Sequence, residues 1–260
     1  MDRATLCHRL DGLLDTAAYA DVDPSPNGLQ VGTAEADRED HEVERVAVAV
    51  DAAAETIGRA IEADADLLVT HHGLIWDSLE RLTGRDYRRV APLVAHDVGL
   101  YVSHLPLDGH QELGNAASVA DLLDLRDRAP FGTMGGEAIG QRGRVAEPVG
   151  AGRLRDRLED ALDTGGRPVR VLEFGPETVE DVAVVTGSGV DFLDEAVAAG
   201  VDAFVTGEGK QQVYHEAREA GVHVVLAGHY ATETFGVRAL AERIDSWGPE
   251  TTFVDCPTGL

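Results

Sequence analysis

The sequence runs Asp66-Leu67-Leu68-Val69-Thr70-His71-His72-Gly73, a short apolar segment that ends in two adjacent histidines and a glycine. The uninterrupted apolar residues 67–70 predict a buried strand. Successive side chains of a regular strand point to opposite faces, so it could not aim His71 and His72 at one spot. We therefore expect the strand to break near Gly73, which would let both rings turn toward one cleft. A divalent metal is the natural occupant of such a cleft.

Strand and helix patterns alternate on both sides of this segment. In the first half, strands are predicted at 45–50, 67–70 and 100–103 and helices at 52–63, 85–97 and 113–123. In the second half, strands are predicted at 182–186, 203–206, 223–226 and 251–254 and helices at 190–199, 211–220 and 232–244. This order predicts an α/β fold with mostly parallel sheets and helices on both faces of each sheet.

The two halves also match each other in sequence. Val46 aligns with Val182 and Asp66 with Asp202, at the same offset of 136 residues (182 minus 46 and 202 minus 66). We therefore predict two similar three-layer α/β lobes, at residues 1–128 and 181–260. Residues 129–180 are predicted to be a linking segment with a strand at 138–145, a helix at 149–162 and a strand at 169–174.

Residues that can bind metal follow the predicted strands of both halves. Ligands of open α/β sheets bind at the carboxyl ends of the strands, and the candidates there are His71, His72, His104, Asp108, Glu208, His229 and Glu233. His104 and Asp108, like His229 and Glu233, are four residues apart, a spacing that can place two side chains on one helix face. Imidazole nitrogens and carboxylate oxygens suit zinc, iron, manganese or nickel.

The number of candidate ligands favours two ions over one. A single tetrahedral ion needs four ligands, whereas two ions about 3.5–4 Å apart can share a bridging carboxylate. We therefore expect a two-metal site in the cleft between the lobes.

Other polar residues are interpreted as structural. His215 is expected on a solvated helix face or beside the metal ligands, but not among them. Lys210 follows Gly207-Glu208-Gly209 but lacks the spacing of a phosphate-binding loop, so no ATP site is predicted. Cys7 and Cys256 are too few for a disulfide framework.

Several motifs together resemble the Nif-three-like family, also called GTP cyclohydrolase I type 2 or dinuclear-metal-centre hexameric proteins. They are Asn27-Gly28-Leu29-Gln30-Val31-Gly32, Thr70-His71-His72-Gly73-Leu74-Ile75-Trp76, His104-Leu105-Pro106-Leu107-Asp108 and Gly228-His229-Tyr230-Ala231-Thr232-Glu233. The resemblance covers nearly the whole chain and follows the short form of the family.

This resemblance implies a ligand set and an assembly. The implied metal ligands are His71, His72, Asp108, His229 and Glu233. Glu233 would bridge the two ions, and His104 would be a ligand or a close neighbour. The resemblance also implies a homo-hexameric ring.

Three functions from different classes fit such a site. The first is a metal-dependent hydrolase that acts on a nucleotide or related small molecule, as the cyclohydrolase name implies. The second is a metal carrier or chaperone, for iron or another ion, without turnover. The third is an interaction scaffold that the metals only stabilise. A hydrolase needs an open coordination position beside a pocket, whereas a carrier must exchange its metal readily.

The charge and composition of the chain disfavour some classes of binding partner. The formal net charge is −25, which disfavours nucleic acids and anionic membranes as partners. No apolar stretch approaches the ~20 residues of a membrane span, and the N-terminus predicts an amphipathic helix, so a cytoplasmic location is expected.

Lys210 is the only lysine, and acidic runs at residues 35–44 and 173–181 are predicted to be exposed. This composition is typical of halophilic proteins.

We predict that the protein needs salt for stability. Its melting temperature should rise between low-salt buffer and about 1 M KCl, because a Debye length of about 3 Å screens the repulsion among its carboxylates. Thermal unfolding followed by circular dichroism measures this rise. A melting temperature that is the same in both buffers would contradict the halophilic interpretation.

Overall fold

The computed structural model describes residues 1–33 and 42–260, and it has two β-sheets with associated helices. This confirms the predicted α/β class. The chain divides into two compact units: unit 1 is Met1–Leu107 with Gly236–Cys256, and unit 2 is Asp108–Phe235 with Pro257–Leu260.

Helices and strands alternate along most of the chain. The α-helices are α1 (Arg3–Leu14), α2 (Ala54–Glu62), α3 (Gly84–Ala95), α4 (Leu105–Gly109), α5 (Asn115–Leu122), α6 (Ala151–Ala161), α7 (Leu193–Ala198), α8 (Val213–Ala220) and α9 (His229–Asp245). The strands are β1 (Gly28–Val31), β2 (Arg45–Asp51), β3 (Leu67–His72), β4 (Gly99–Val102), β5 (Leu125–Met134), β6 (Glu137–Val149), β7 (Arg170–Leu172), β8 (Val179–Val184), β9 (Ala203–Thr206), β10 (His223–Leu226) and β11 (Glu250–Phe253).

The sheet of unit 1 has the order β1-β4-β3-β2-β11. Strands β4, β3, β2 and β11 run parallel, as predicted, and β1 is an antiparallel edge strand. The sequence pattern grouped β11 with the second lobe. In the structure this strand lies in unit 1, because it pairs in parallel with β2 and places Thr251 opposite Val46.

The sheet of unit 2 has the order β5-β6-β8-β9-β10-β7. Its centre, β8-β9-β10, is parallel, but the three flanking pairings are antiparallel, so this sheet is mixed. The predicted linking segment, residues 129–180, supplies all of β6 and β7 and part of β5. β5 and β6 form a hairpin whose turn contains Gly135 and Gly136, both with positive φ. Positive φ values in a short turn strongly favour glycine.

Each unit has its own apolar core. In unit 1, Ile57 and Leu93 from helices pack with Leu68 and Leu100 from strands. In unit 2, α5 and α6 contribute buried side chains, including Leu154, that pack against valines of β8, β9 and β10. Both cores therefore form where helices cover the parallel strands.

The structure repeats one parallel unit at the predicted offset. Val46 lies opposite Leu67, and Val182 lies opposite Ala203, which are equivalent pairs. In each copy, an aspartate just before the second strand accepts hydrogen bonds from the backbone near the start of the first strand. Asp66 Oδ2 accepts hydrogen bonds from two successive backbone N–H groups, those of Glu44 and Arg45, both at 2.8 Å. Asp202 Oδ2 does so from Glu180 and Asp181, at 2.8 and 3.0 Å.

The structure also bears on membrane spanning and on the exposure of the acidic runs. Within residues 1–33 and 42–260, no helix combines the length and apolar character needed to span a bilayer. Of the two predicted acidic runs, most of the first lies outside the described residues. In the second, Glu173 and Glu177 are exposed, as expected.

Candidate metal centre

His71 and His72 both lie within β3. The prediction that the strand ends at Thr70 is wrong, because pairing continues through His72, which lies opposite Asp51 of β2. The rings nevertheless approach each other, with centroids 4.6 Å apart. His71 is fully buried, and the side chain of His72 is 19 % exposed.

Neighbouring strands hold the two rings in place. His71 Nδ1 lies 3.0 Å from the carbonyl oxygen of Ser103, and His72 Nδ1 lies 2.9 Å from Asp51 Oδ1. A carbonyl and a carboxylate can only accept hydrogen bonds, so each Nδ1 must carry the proton and donate. In the neutral imidazole this leaves Nε2 with its lone pair as the metal-binding atom.

His104 is held by residues far away in the sequence. Its Nδ1 lies 2.8 Å from Asp23 Oδ1, and its backbone N–H donates to Asn27 Oδ1 at 2.7 Å. The chain segment that contains Asp23 therefore fixes both the ring and the backbone of His104. The ring has the same arrangement as those of His71 and His72, with Nε2 left for a metal.

Asp23 is itself held in the ionised form. Its Oδ1 also accepts from the N–H of Ser25, and its Oδ2 accepts from the Asn27 amide and the N–H of Leu105, at 2.7–2.9 Å. Burial alone would raise the pKa of Asp23, but the bonds from His104, Asn27 and Ser25 outweigh burial and lower it. The Asp23 side chain is fully buried, so an ion that enters from solvent cannot reach its carboxylate.

The three imidazoles form one group within unit 1. One ring nitrogen from each of His71, His72 and His104 lies within 4.8 Å of the others. His72 and His104 remain about one-fifth exposed, at 19 % and 18 % of their side-chain surface. The group therefore offers nitrogen donors that an entering ion can reach.

The candidate ligands of unit 2 lie in the first turns of helices or shortly after a strand. Asp108 lies in α4 and is buried, and its Oδ1 accepts from the Asn115 amide at 2.9 Å and from the Thr186 hydroxyl at 3.2 Å. These two bonds orient the carboxylate. They tie it to the start of α5 and to the segment that follows β8.

His229 lies between two carboxylates. Its Nδ1 is 3.1 Å from Glu208 Oε1, and its Nε2 is 3.2 Å from Glu233 Oε1, one turn along α9. The four-residue spacing thus places His229 and Glu233 on one helix face. Burial acts to lower the pKa of His229, but Glu233 and Glu208 outweigh it and raise the pKa to about 9. Metal binding at His229 Nε2 would therefore release a proton.

Gly187 leaves the space that the Glu233 carboxylate occupies. This glycine follows β8 with φ +58°, and a Cβ atom there would lie 2.1 Å from Glu233 Oε1. No side chain can fit at that distance, so a glycine is required both by conformation and by the close approach. Glu233 is 3 % exposed, which makes it the more buried of the two carboxylates beside His229.

The structure thus sorts the predicted residues into two sets. His71, His72 and His104 converge in unit 1, and within unit 2 His229 contacts both Glu208 and Glu233. His215 is exposed on α8, and Lys210 pairs with Asp191 at 2.5 Å, so neither belongs to these groups.

Sequence reasoning missed four residues that support the ligands: Asp23, Asp51, Ser103 and Gly187. Asp51 and Gly187 occupy equivalent positions in the internal repeat: Asp51 is the last residue of β2, and Gly187 follows β8. The rule that ligands bind at the carboxyl ends of strands could therefore have indicated both residues. Asp23 lies in an irregular segment, 81 residues from His104. No spacing pattern connects it to the site.

The donor chemistry fits divalent transition metals. All four candidate histidines hold Nδ1 against an oxygen, which is the usual arrangement of metal-binding imidazoles. Buried Asp108 and Glu233 add carboxylate oxygens, and the mixed nitrogen and oxygen set suits zinc, iron, manganese or nickel.

Comparison with known proteins gives a consistent result along the chain. The family model described as Duf34/NIF3 (NGG1p interacting factor 3) matches residues 1–258. A protein of Halobacterium salinarum, named GTP cyclohydrolase 1 type 2 homolog, is 56 % identical over 260 residues and covers 100 % of both chains. A relative of the same name from Archaeoglobus fulgidus is 39 % identical over 261 residues, again covering 100 % of both.

Solved structures show the same fold. A Thermus thermophilus protein superposes with a TM-score of 0.89 at 37 % identity and covers 100 % of both chains. Reduced HcgD from Methanocaldococcus jannaschii superposes with a TM-score of 0.80 at 25 % identity, covering 96 % of this chain and 98 % of its own.

Replacing Asp23 tests whether the carboxylate positions His104. In Asp23→Asn the negative charge is lost, and the amide places a donor against the donors of Asn27 and Leu105. We expect metal affinity to fall by about 10- to 100-fold, the usual cost of losing such a partner. Competition with a chromophoric chelator measures it. Asp21→Asn, at an exposed carboxylate two residues away, is the control and should bind like the parent.

A second prediction concerns Gly187. Gly187→Ala should displace the Glu233 carboxylate and reduce bound metal, which elemental analysis measures. Gly200→Ala is the matched control, because Gly200 also has positive φ (+72°) but has open space around its Cβ position. Gly200→Ala should therefore keep the metal content of the parent protein. A Gly187→Ala protein with the same metal content as Gly200→Ala would contradict the role of the contact with Glu233.

Proposed function

The chain belongs to the Duf34/NIF3 family, and we propose that it binds two divalent ions per chain. The proposed ligands are His71, His72, Asp108, His229 and Glu233, with Glu233 as the bridging carboxylate. His104 is a further ligand or an immediate neighbour of the ions, and Glu208 orients His229. Zinc, iron, manganese and nickel all suit these donors.

One observation carries this proposal. Each of His71, His72, His104 and His229 has Nδ1 within 2.8–3.1 Å of an oxygen acceptor. At His71, His72 and His104 this bond makes Nε2 the metal-binding nitrogen. At His229, Nε2 lies 3.2 Å from Glu233 Oε1 and carries a proton that an ion would replace. The bonds also lower the entropic cost of binding, because the rings are ordered in advance.

We propose that the bound metals serve a hydrolase that acts on a nucleotide or a related small molecule. A divalent ion held by these donors supplies Lewis-acid polarisation of a substrate oxygen and of water. The chain's own residues hold the donors rigid and exclude bulk water from the most buried ones, His71 and Glu233. The name of the relatives, GTP cyclohydrolase 1 type 2 homolog, supports this class of substrate.

A metal carrier is the second candidate function. The observation that favours it is the partial exposure of His72, His104 and His229, whose side chains are 18–25 % exposed. Ligands that solvent reaches allow an ion to be exchanged with a competing protein. Measured exchange with a chelator within minutes, together with no hydrolysis of nucleotides, would favour the carrier.

We further propose a homo-hexamer located in the cytoplasm. The family resemblance supports the assembly, and the strongly acidic composition supports a location where salt screens the charge. Size-exclusion chromatography with light scattering in molar KCl measures the mass of the assembly. A monomeric mass near 27.6 kDa would contradict the hexamer.

Replacing individual ligands tests the metal proposal. His72→Ala and Glu233→Gln should each lower the bound metal from about two ions to one or fewer per chain, because each removes a donor that the chain cannot replace. Elemental analysis after dialysis measures the content. His215→Ala changes an exposed histidine of α8 and should keep the full content. Full metal content in both ligand variants would remove the basis of the assignment.

A further inference from the structure

A glutamine of β1 holds the segment that follows the two histidines of β3. Gln30 Oε1 accepts hydrogen bonds from the backbone N–H groups of Leu74 and Ile75, at 2.9 and 3.0 Å. Its Nε2 donates to the carbonyl oxygens of Pro26 at 2.9 Å and of Ile75 at 3.4 Å. Leu74 and Ile75 belong to no helix or strand, so this side chain supplies partners that secondary structure does not. A residue 45 positions from Ile75 therefore fixes the backbone just after His72.

Gly73 leaves room for the Gln30 amide. A Cβ atom at Gly73 would lie 2.5 Å from both Nε2 and Oε1 of Gln30 and 2.7 Å from its Cδ. These distances are well below van der Waals contact, so any side chain at Gly73 would push the amide away from Leu74 and Ile75. The close approach of Gln30 therefore explains why a glycine follows the two histidines.

The chain after this held segment places an indole beside the imidazole group. The Trp76 ring packs edge-on against the His104 ring, with centroids 5.1 Å apart, and lies 6.1 Å from the His72 ring. His72 and His104 are the members of the group that solvent reaches, whereas His71 is fully buried. Trp76 is itself 41 % exposed. The indole therefore lies at the surface, beside the two imidazoles that an entering ion meets first.

The segment of residues 23–30 positions the indole and the His104 ring together. Its Asp23 carboxylate bonds to His104 Nδ1, and its Gln30 amide holds the backbone just before Trp76. The backbone N–H of the residue after Trp76 donates to a carbonyl of the same segment at 2.7 Å. The chain is thus tied to this segment on both sides of Trp76, which holds the indole against His104.

We propose that the Trp76 indole shields the imidazole group and determines how quickly a divalent ion enters and leaves it, and that Gln30 positions this shield. The apolar groups around a metal site control the access of solvent to it. A bulky ring beside His72 and His104 therefore slows the approach of an ion and the approach of a competing ligand alike. Because the indole is not a ligand, the affinity changes less than the two rates. This inference rests on the proposed metal site, since it names the residues that govern ion exchange there.

Exchange of Zn²⁺ tests the shield. Release is measured by transfer of bound Zn²⁺ to an excess of a strong chromophoric chelator, and uptake by transfer from a weak one to metal-free protein. Trp76→Ala should accelerate both by at least about tenfold, a usual effect of losing a group that surrounds a metal site. Trp76→Phe keeps an aromatic ring and should accelerate them less. Tyr87→Ala removes another exposed aromatic side chain of unit 1 and should keep the rates of the parent.

The rate of uptake distinguishes a shield from a structural role. A variant that has only lost the geometry of its ligands releases Zn²⁺ faster but takes it up no faster than the parent. That result for Trp76→Ala, or unchanged rates in both directions, would overturn the inference.

The role of Gln30 is tested together with Gly73. Gln30→Ala and Gly73→Ala should each accelerate exchange as Trp76→Ala does, because one removes the amide and the other displaces it. In the Gln30→Ala protein the space beside Gly73 is vacated, so adding Gly73→Ala should have no further effect. Gly58→Ala, on α2 with open space around its Cβ position, is the matched control and should behave like the parent. Additive effects of Gln30→Ala and Gly73→Ala would contradict the positioning role.

Trp76 fluorescence gives a readout that does not depend on metal. The chain has two tryptophans, so the Trp247→Phe protein reports Trp76 alone. In this protein without metal, Gln30→Ala should strengthen the quenching of Trp76 by acrylamide, because the segment is released. Unchanged quenching would contradict the positioning of Trp76 by Gln30.

The parent protein separates this inference from the proposed function. A parent that binds no Zn²⁺ contradicts the proposed metal site. A parent that binds Zn²⁺, but exchanges it no faster after Trp76→Ala, contradicts only the inference.

Discussion

The hydrogen bond from an imidazole Nδ1 to an oxygen is the interaction on which the candidate metal-binding histidines of both units depend. It recurs at His71, His72, His104 and His229, with a backbone carbonyl as the acceptor once and a carboxylate three times. Each bond fixes the orientation of its ring and keeps a proton on Nδ1, which leaves Nε2 as the nitrogen that an ion can bind. Without this bond, a ring could rotate and offer either nitrogen.

The internal repeat explains how one framework supplies two kinds of candidate ligand. In the first copy, Asp51 ends β2 and holds His72. The equivalent positions in the second copy, 136 residues later, are Gly187 and Glu208. The loss of a side chain at Gly187 makes room for Glu233 from α9, and Glu208 instead supports His229. Both copies keep the parallel strands and the aspartate that bonds to the backbone of the first strand, Asp66 or Asp202. The two copies differ in the residues that follow the strands.

Sequence patterns predicted the parallel strands because buried apolar runs are local signals, and they indicated candidate ligands because these residues lie near the ends of such strands. The bounds predicted for β9 and β10 match the structure, since buried apolar runs define them. The β5–β6 hairpin was predicted only as a short strand, although Gly135-Gly136 is a hairpin signal. The pairing of β11 with β2 joins segments about 200 residues apart, and no local pattern encodes it. The same limit applies to Asp23, whose contact with His104 is created by tertiary folding.

An anomalous-scattering map from crystals grown with zinc or manganese would show which atoms bind the ions. We expect anomalous peaks about 2.0–2.2 Å from Nε2 of His71, His72 and His229, with each Nδ1 still bonded to its oxygen. Peaks bound through Nδ1, or the absence of any peak at these imidazoles, would contradict this expectation.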